Sequence, residues 1–115
     1  MGPDAGGYGM FSLRGLDVAG VGPQQMPGVP PFWTVYVSVV DVDATAEAVT
    51  ANGGTVVAPP MDVFESGRMA VFQDPNGTFI SAWQPREHIG CRLVNEPGTF
   101  GWNELATTDI AAARA

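Results

Sequence analysis

Hydrophobic and polar positions alternate most clearly in FWTVYVSVV, residues 32–40. Thr34, Tyr36 and Ser38 fall on one side and Trp33, Val35, Val37 and Val39 on the other. Alternation of this kind, rich in β-branched and aromatic residues, predicts a strand whose second face is apolar enough to lie beneath a helix. DPNGTFISAW, residues 74–83, predicts a tight turn at Asp74–Gly77 and a strand that puts Phe79, Ser81 and Trp83 on one face. A helix is expected between these strands. Asp41 or Asp43 caps it, Val42, Ala46 and Val49 share a side, and Asn52-Gly53-Gly54 stops it. A strand at Thr55–Ala58, a break at Pro59-Pro60, a loop carrying Met61 to Gly67 and a strand at Arg68–Gln73 complete a β-α-β-β-β order.

The flanks are less regular. Residues 1–7 are glycine-rich. Tyr8–Arg14 and Asp17–Val21 read as short strands about a Gly15-Leu16 turn, and GPQQMPGVPP, residues 22–31, is a connector. Residues 84–98 read as a linker, Thr99–Thr107 as another strand, and TDIAAARA as a helix that begins at Asp109 and breaks off in its first turns.

With 115 residues and 45% apolar composition, one domain with its own core is expected. The net charge of −7, with no lysine, argues against nucleic acid and anionic membranes, which require basic footprints. No apolar run approaches the ~20 residues of a membrane span and no charged-then-apolar leader opens the chain. Cys91, the single cysteine, cannot form an internal disulfide, and a cytoplasmic setting is expected.

The segment Trp33–Pro85 resembles one βαβββ module of the vicinal oxygen chelate superfamily, the glyoxalase/bleomycin resistance protein/dioxygenase group. VSVVDVDATAEAVTANGGTVV and GRMAVFQDPNGTFISAWQP carry the resemblance: a helix closing on Gly-Gly before a strand, then a D-P-x-G hairpin before the last strand. HIGCRLVNEPGTFGWNELATTDIAAARA further resembles the junction where a second domain begins in two-domain actinobacterial members. The resemblance implies an α+β fold in which paired modules curl around a cleft. Here it implies a complete module at 32–85, partial module strands at 8–21 and the start of a further module at 99–115. The chain ends would then form a partial second module, permuted or exchanged between copies in a homodimer. A truncated fragment without its own activity is the plain alternative.

In that family His, Gln or Glu on the first and last strands of each module meet at a divalent ion. The resemblance places those positions on Thr34 and Ser81, and on Trp102 in the partial module, none of them an imidazole or carboxylate. His88, the single histidine, lies in the linker and reads as a surface or interface residue. No metal ligand, cofactor or catalytic residue is therefore expected. Cys91 beside His88 and Arg92 lacks a helix that would bring the groups together, and Glu47 belongs to a solvated helix face. Glu104 shares the face of Trp102, where it would orient a ligand or meet solvent.

What remains is a surface of aromatics and hydroxyls: Thr34, Tyr36, Ser38, Phe79, Ser81 and Trp83, with Trp102 and Glu104 from the partial module. Met61, Phe64 and Met69 supply an adaptable wall. Such a surface suits a planar, partly apolar small molecule held by stacking and hydrogen bonds, although ordinary sheet packing has the same period. The first expectation is a metal-free small-molecule-binding protein. A metal-dependent lyase or dioxygenase of the same superfamily is the alternative.

Overall fold

The computed structural model describes residues 7–24 and 27–114. The glycine-rich lead therefore lies almost wholly outside the described residues, as do Gln25 and Met26 of the connector and Ala115 of the last helix. The chain forms two compact units, one from Met1–Trp33 with Gly90–Glu104, the other from Thr34–Ile89 with Leu105–Ala115.

In the first unit, β1 (Gly9–Leu13) and β2 (Leu16–Val21) form an antiparallel hairpin. Its two turn residues, Arg14 (φ 52°) and Gly15 (φ 77°), both take the positive φ that matches the twist of a tight hairpin. The turn thus falls one residue earlier than the sequence suggested. Residues 90–104 join this hairpin through Arg92 N–H donating to the Asp17 carbonyl at 2.8 Å and an Arg14–Glu96 ion pair. They do not supply the expected strand at Thr99–Thr107. A turn around Asn95 and Thr99 leaves one isolated bridge, Val94 to Phe100, in place of that strand among the described residues.

The second unit carries the βαβββ order: β3 (Tyr36–Ser38), α1 (Val42–Ala51), β4 (Thr55–Val63), β5 (Gly67–Gln73) and β6 (Phe79–Pro85), followed by the short α2 (Ile110–Arg114). The strands lie in the order β3-β6-β5-β4, with β3 parallel to β6 and the other neighbours antiparallel. This is the α+β arrangement the sequence led us to expect.

Asp41 starts α1 by accepting hydrogen bonds from the amides of Asp43 (3.0 Å) and Ala44 (3.1 Å). The Gln84 side chain on β6 takes the Val42 amide at 2.9 Å. Gly53, at φ 88°, ends the helix. Val42 and Ala46 then pack on Ala70, Phe72 and Ala82 of the sheet, with Val39, Val49 and Val56 around them. Ala70 and Ala82 are cross-strand neighbours, and their small side chains let the helix sit close. Arg68, on the same sheet face, pairs with Asp43 of the helix (2.9 Å) and Asp62 of β4 (3.2 Å).

Two expected boundaries shift for physical reasons. β4 runs through Pro59-Pro60 instead of breaking there. It is the outer strand, bulged between Val56 and Ala58 and again between Ala58 and Met61, so the missing proline donors need not disrupt a central ladder. The strand expected at 32–40 contracts to Tyr36–Ser38, with flanking bonds at Val35 and Val39. Phe32 and Trp33 are exposed, and Trp33 does not lie beneath the helix.

Candidate functional site

With α1 covering one face of the sheet, the other face is built by register. Tyr36 pairs with Ser81 and Ser38 with Trp83 across β3 and β6. Val71 pairs with Ser81, Met69 with Trp83 and Gln73 with Phe79 across β5 and β6. Paired residues share a face, so Tyr36, Ser38, Phe79, Ser81 and Trp83 come together as expected, with Met69 beside them and Met61 opposite Met69. Thr34 lies two residues before Tyr36, exposed and ahead of the strand. Phe64 occupies the β4–β5 turn at φ 48° and is exposed. Trp102 and Glu104 belong to the first unit, where the Trp102 indole donates to the Glu104 carboxylate at 3.2 Å and both are exposed.

Ser81 stands at the centre. It is 1% exposed, and its Oγ has no hydrogen-bond partner among the described residues. A buried hydroxyl left unsatisfied costs about 1–3 kcal/mol. Phe79, by contrast, is largely exposed at the start of β6.

Trp83 is held on several sides. Its indole N–H donates to the His88 carbonyl at 2.8 Å. The same edge fills the place where Gly67 lacks a side chain: a Cβ there would lie 2.5 Å from Trp83 Cζ2 and 2.7 Å from the Gln84 carbonyl. Tyr36 and the His88 imidazole each stand at nearly a right angle to the indole, 88° and 87°, with ring centroids 6.4 Å away. Stacking on Tyr36 and Trp83 together, the arrangement the alternation suggested, is therefore not available to one flat molecule. A ligand lying on one ring meets the other with its edge.

His88 and Gly67 were missed by sequence reasoning. His88 reads as a linker residue, yet the 86–88 segment folds back so that the amides of Arg86 and His88 both donate to the Ser66 carbonyl, at 3.1 and 3.0 Å. An isolated glycine opening a strand signals a close approach by some group, although nothing along the chain names Trp83 as that group.

Thr34 and Ser81 offer neutral hydroxyls where a divalent ion would need imidazole or carboxylate. Among the described residues no three His, Cys, Asp or Glu side chains gather to hold an ion. The donors on this face do not fit the metal of the family. On the helix side of the sheet a shallow recess of about 140 Å³ is lined by Val49, Phe72, Pro75, Ile80, Ala112 and Ala113 with a few polar groups at its rim. It holds no cluster of reactive side chains. No helix among the described residues is long and apolar enough to cross a membrane.

The βαβββ unit, its D-P-x-G hairpin and an aromatic, hydroxyl-bearing sheet face opposite the helix define a module of the oxygen-chelate type. The model of the Glyoxalase/Bleomycin resistance protein/Dioxygenase superfamily matches residues 6–82. The chain belongs to that superfamily. It is 44% identical over 119 residues to the protein named "Putative glyoxylase CFP32" of Mycobacterium tuberculosis, covering 96% of this chain and 45% of that protein. It is 40% identical over 126 residues to the "Anthracycline biosynthesis protein DnrV" of Streptomyces peucetius, covering 97% and 46%. DauV of Streptomyces sp. strain C5, also named for anthracycline biosynthesis, matches to the same extent. The chain thus spans less than half the length of these relatives.

Proposed function

We propose that the open sheet face binds a planar, partly apolar and oxygenated small molecule without a metal ion. The observation that carries this reading is Ser81: a buried hydroxyl lacking a partner, set between aromatics, where the family places a metal-binding side chain. A ligand oxygen would satisfy it. Tyr36, half exposed on the outer three-residue strand, is its cross-strand neighbour on that face. Trp83 supplies the fixed aromatic surface, and Ser38 and Thr34 supply further hydroxyls. Two relatives are named for anthracycline biosynthesis, and anthracyclines are fused planar ring systems bearing oxygens along their edges, which supports this ligand class.

The mechanism is sequestration and orientation, since these side chains can hold a ligand but include no paired acid and base to transform it. The exposed row of Tyr36, Phe79 and Met61 also supports pairing of two copies over this face, as a homodimer. Light scattering on the eluting protein tests that, and a monomeric mass at every concentration removes it.

The decisive experiment is a fluorescence titration with 1,4-dihydroxyanthraquinone. Saturable quenching that is lost in Trp83→Phe and kept in Trp33→Phe and Trp102→Phe is the expected result. No saturable quenching in the unaltered protein overturns the reading. The competing reading, a metal-dependent lyase or dioxygenase, gains support if quenching appears with added divalent ion and not without it.

A further inference from the structure

Of the residues around the open face, His88 has no role in the reading above, yet it touches the one aromatic that reading depends on. We propose that His88 is a positioning residue that sets the orientation of the Trp83 indole, and thereby the ring systems the face accepts. The inference rests on the open face being the ligand surface, but its geometry is independent of any ligand.

Four contacts define the indole's position. Its N–H edge is drawn to the His88 carbonyl at 2.8 Å. The same edge occupies the gap over Gly67, on the β5 side of β6. Tyr36 approaches from β3, on the opposite flank of β6, and the His88 ring stands at 87° from beyond the strand end. An edge-to-face pair adds to the packing by fixing relative angle as well as distance. The carbonyl part of the anchor depends on the backbone: the amides of Arg86 and His88 bond to Ser66, and that of Glu87 to Glu65 at 3.3 Å. Those bonds do not involve the imidazole. Substituting the side chain therefore removes the ring contact and leaves the segment's main-chain attachment in place.

The orientation has a consequence for binding. With Tyr36 nearly perpendicular to Trp83, the indole angle decides which way a ligand's edge points along β6. Without the His88 ring the indole would keep its bond to the carbonyl but hold its angle less firmly, and part of the ligand's binding energy would go to ordering it.

The test compares His88→Gln, which removes the ring, with His88→Phe, which keeps one, in the full chain. Trp33 and Trp102 are 81% and 82% exposed, so the structured near-ultraviolet circular dichroism of tryptophan comes chiefly from Trp83. His88→Gln is expected to lose part of that band and to weaken 1,4-dihydroxyanthraquinone binding about three- to tenfold. His88→Phe is expected to restore both band and affinity. A band of unaltered size in His88→Gln, or equal loss in the Gln and Phe variants, overturns the positioning role whatever the dye does. Failure of the unaltered protein to bind the dye overturns the functional reading of the face, while the band comparison still decides the role of His88.

Discussion

Replacing Ser81 by alanine removes one oxygen from the middle of the open face, and the two readings of that oxygen predict different signs. In the free protein the Oγ is buried without a partner, a state that costs about 1–3 kcal/mol. Its removal relieves that cost. The hole left behind is on the order of 10 Å³, worth roughly 0.3 kcal/mol at the usual penalty per unit of cavity volume. The variant should therefore be more stable than the parent by about 1 kcal/mol or more, a rise of roughly 0.5–1 M in urea midpoint for a domain of this size. Affinity for the dihydroxyanthraquinone should move the other way, falling about three- to tenfold through loss of one neutral hydrogen bond. Urea denaturation and fluorescence titration on the same preparation read both quantities. Destabilisation by 1 kcal/mol or more would mean that the hydroxyl is satisfied in the free protein, and the argument from Ser81 would fail.

Other perturbations probe separate parts of the structure. Gly67→Ala forces a Cβ to within 2.5 Å of the indole and 2.7 Å of a main-chain carbonyl, and the carbonyl cannot swing aside. Stability should fall by about 1–3 kcal/mol with a changed Trp83 dichroism band, whereas Gly101→Ala, which meets nothing within 4 Å, serves as the neutral comparison. Hydrogen bonding and charge from Arg68 hold the Asp43 and Asp62 carboxylates below their ordinary range, with Arg86 adding to the effect at Asp62. Their contribution is full above the unfolded carboxylate range and is lost as pH falls through the depressed values, below about pH 4. Arg68→Ala should therefore flatten the acid limb of a stability–pH curve, and an unchanged limb would remove this cluster from the account. Elemental analysis of protein grown with added divalent metals and purified without chelator should find well below one ion per chain. A stoichiometric ion would overturn the metal-free reading.

The parts of this fold legible in the sequence are those set by neighbours along the chain. Asp41, the Val42/Ala46/Val49 spacing and Asn52-Gly53 mark α1 because cap, face and stop are all local. The open face was legible for a related reason: alternation assigns Tyr36 and Ser38 to one side of β3, and Phe79, Ser81 and Trp83 to one side of β6. Their meeting on a common face then depends on strand order, which the family resemblance supplied. Misjudged elements depended on what lies across space. Residues 32–35 have high strand propensity but meet no full partner strand, and Pro59-Pro60 looks like a break unless β4 is known to be outermost. Gly67 and His88 stand 16 and five positions from Trp83 in sequence, yet neither spacing says that one vacates and the other anchors the indole's position.

The right angle between Tyr36 and Trp83 constrains function more than the count of aromatics does. Two parallel rings would accept any flat hydrocarbon between them, and affinity would follow area alone. Perpendicular rings give a ligand one surface to lie on and one to abut, so recognition needs both a flat face and an edge of suitable chemistry. Between those rings the spine of β6 offers Ser81, a hydroxyl whose unmet hydrogen bond penalises an apolar edge and rewards an oxygen. Discrimination of this kind is strong because the wrong ligand leaves a buried polar atom unpaired, whereas the right one removes a cost already present in the free protein. A divalent ion at the same place would select for oxygens by coordination. On the proposed reading the hydroxyl and the indole would select for them by hydrogen bonding and shape instead, which keeps a preference for oxygenated ligands.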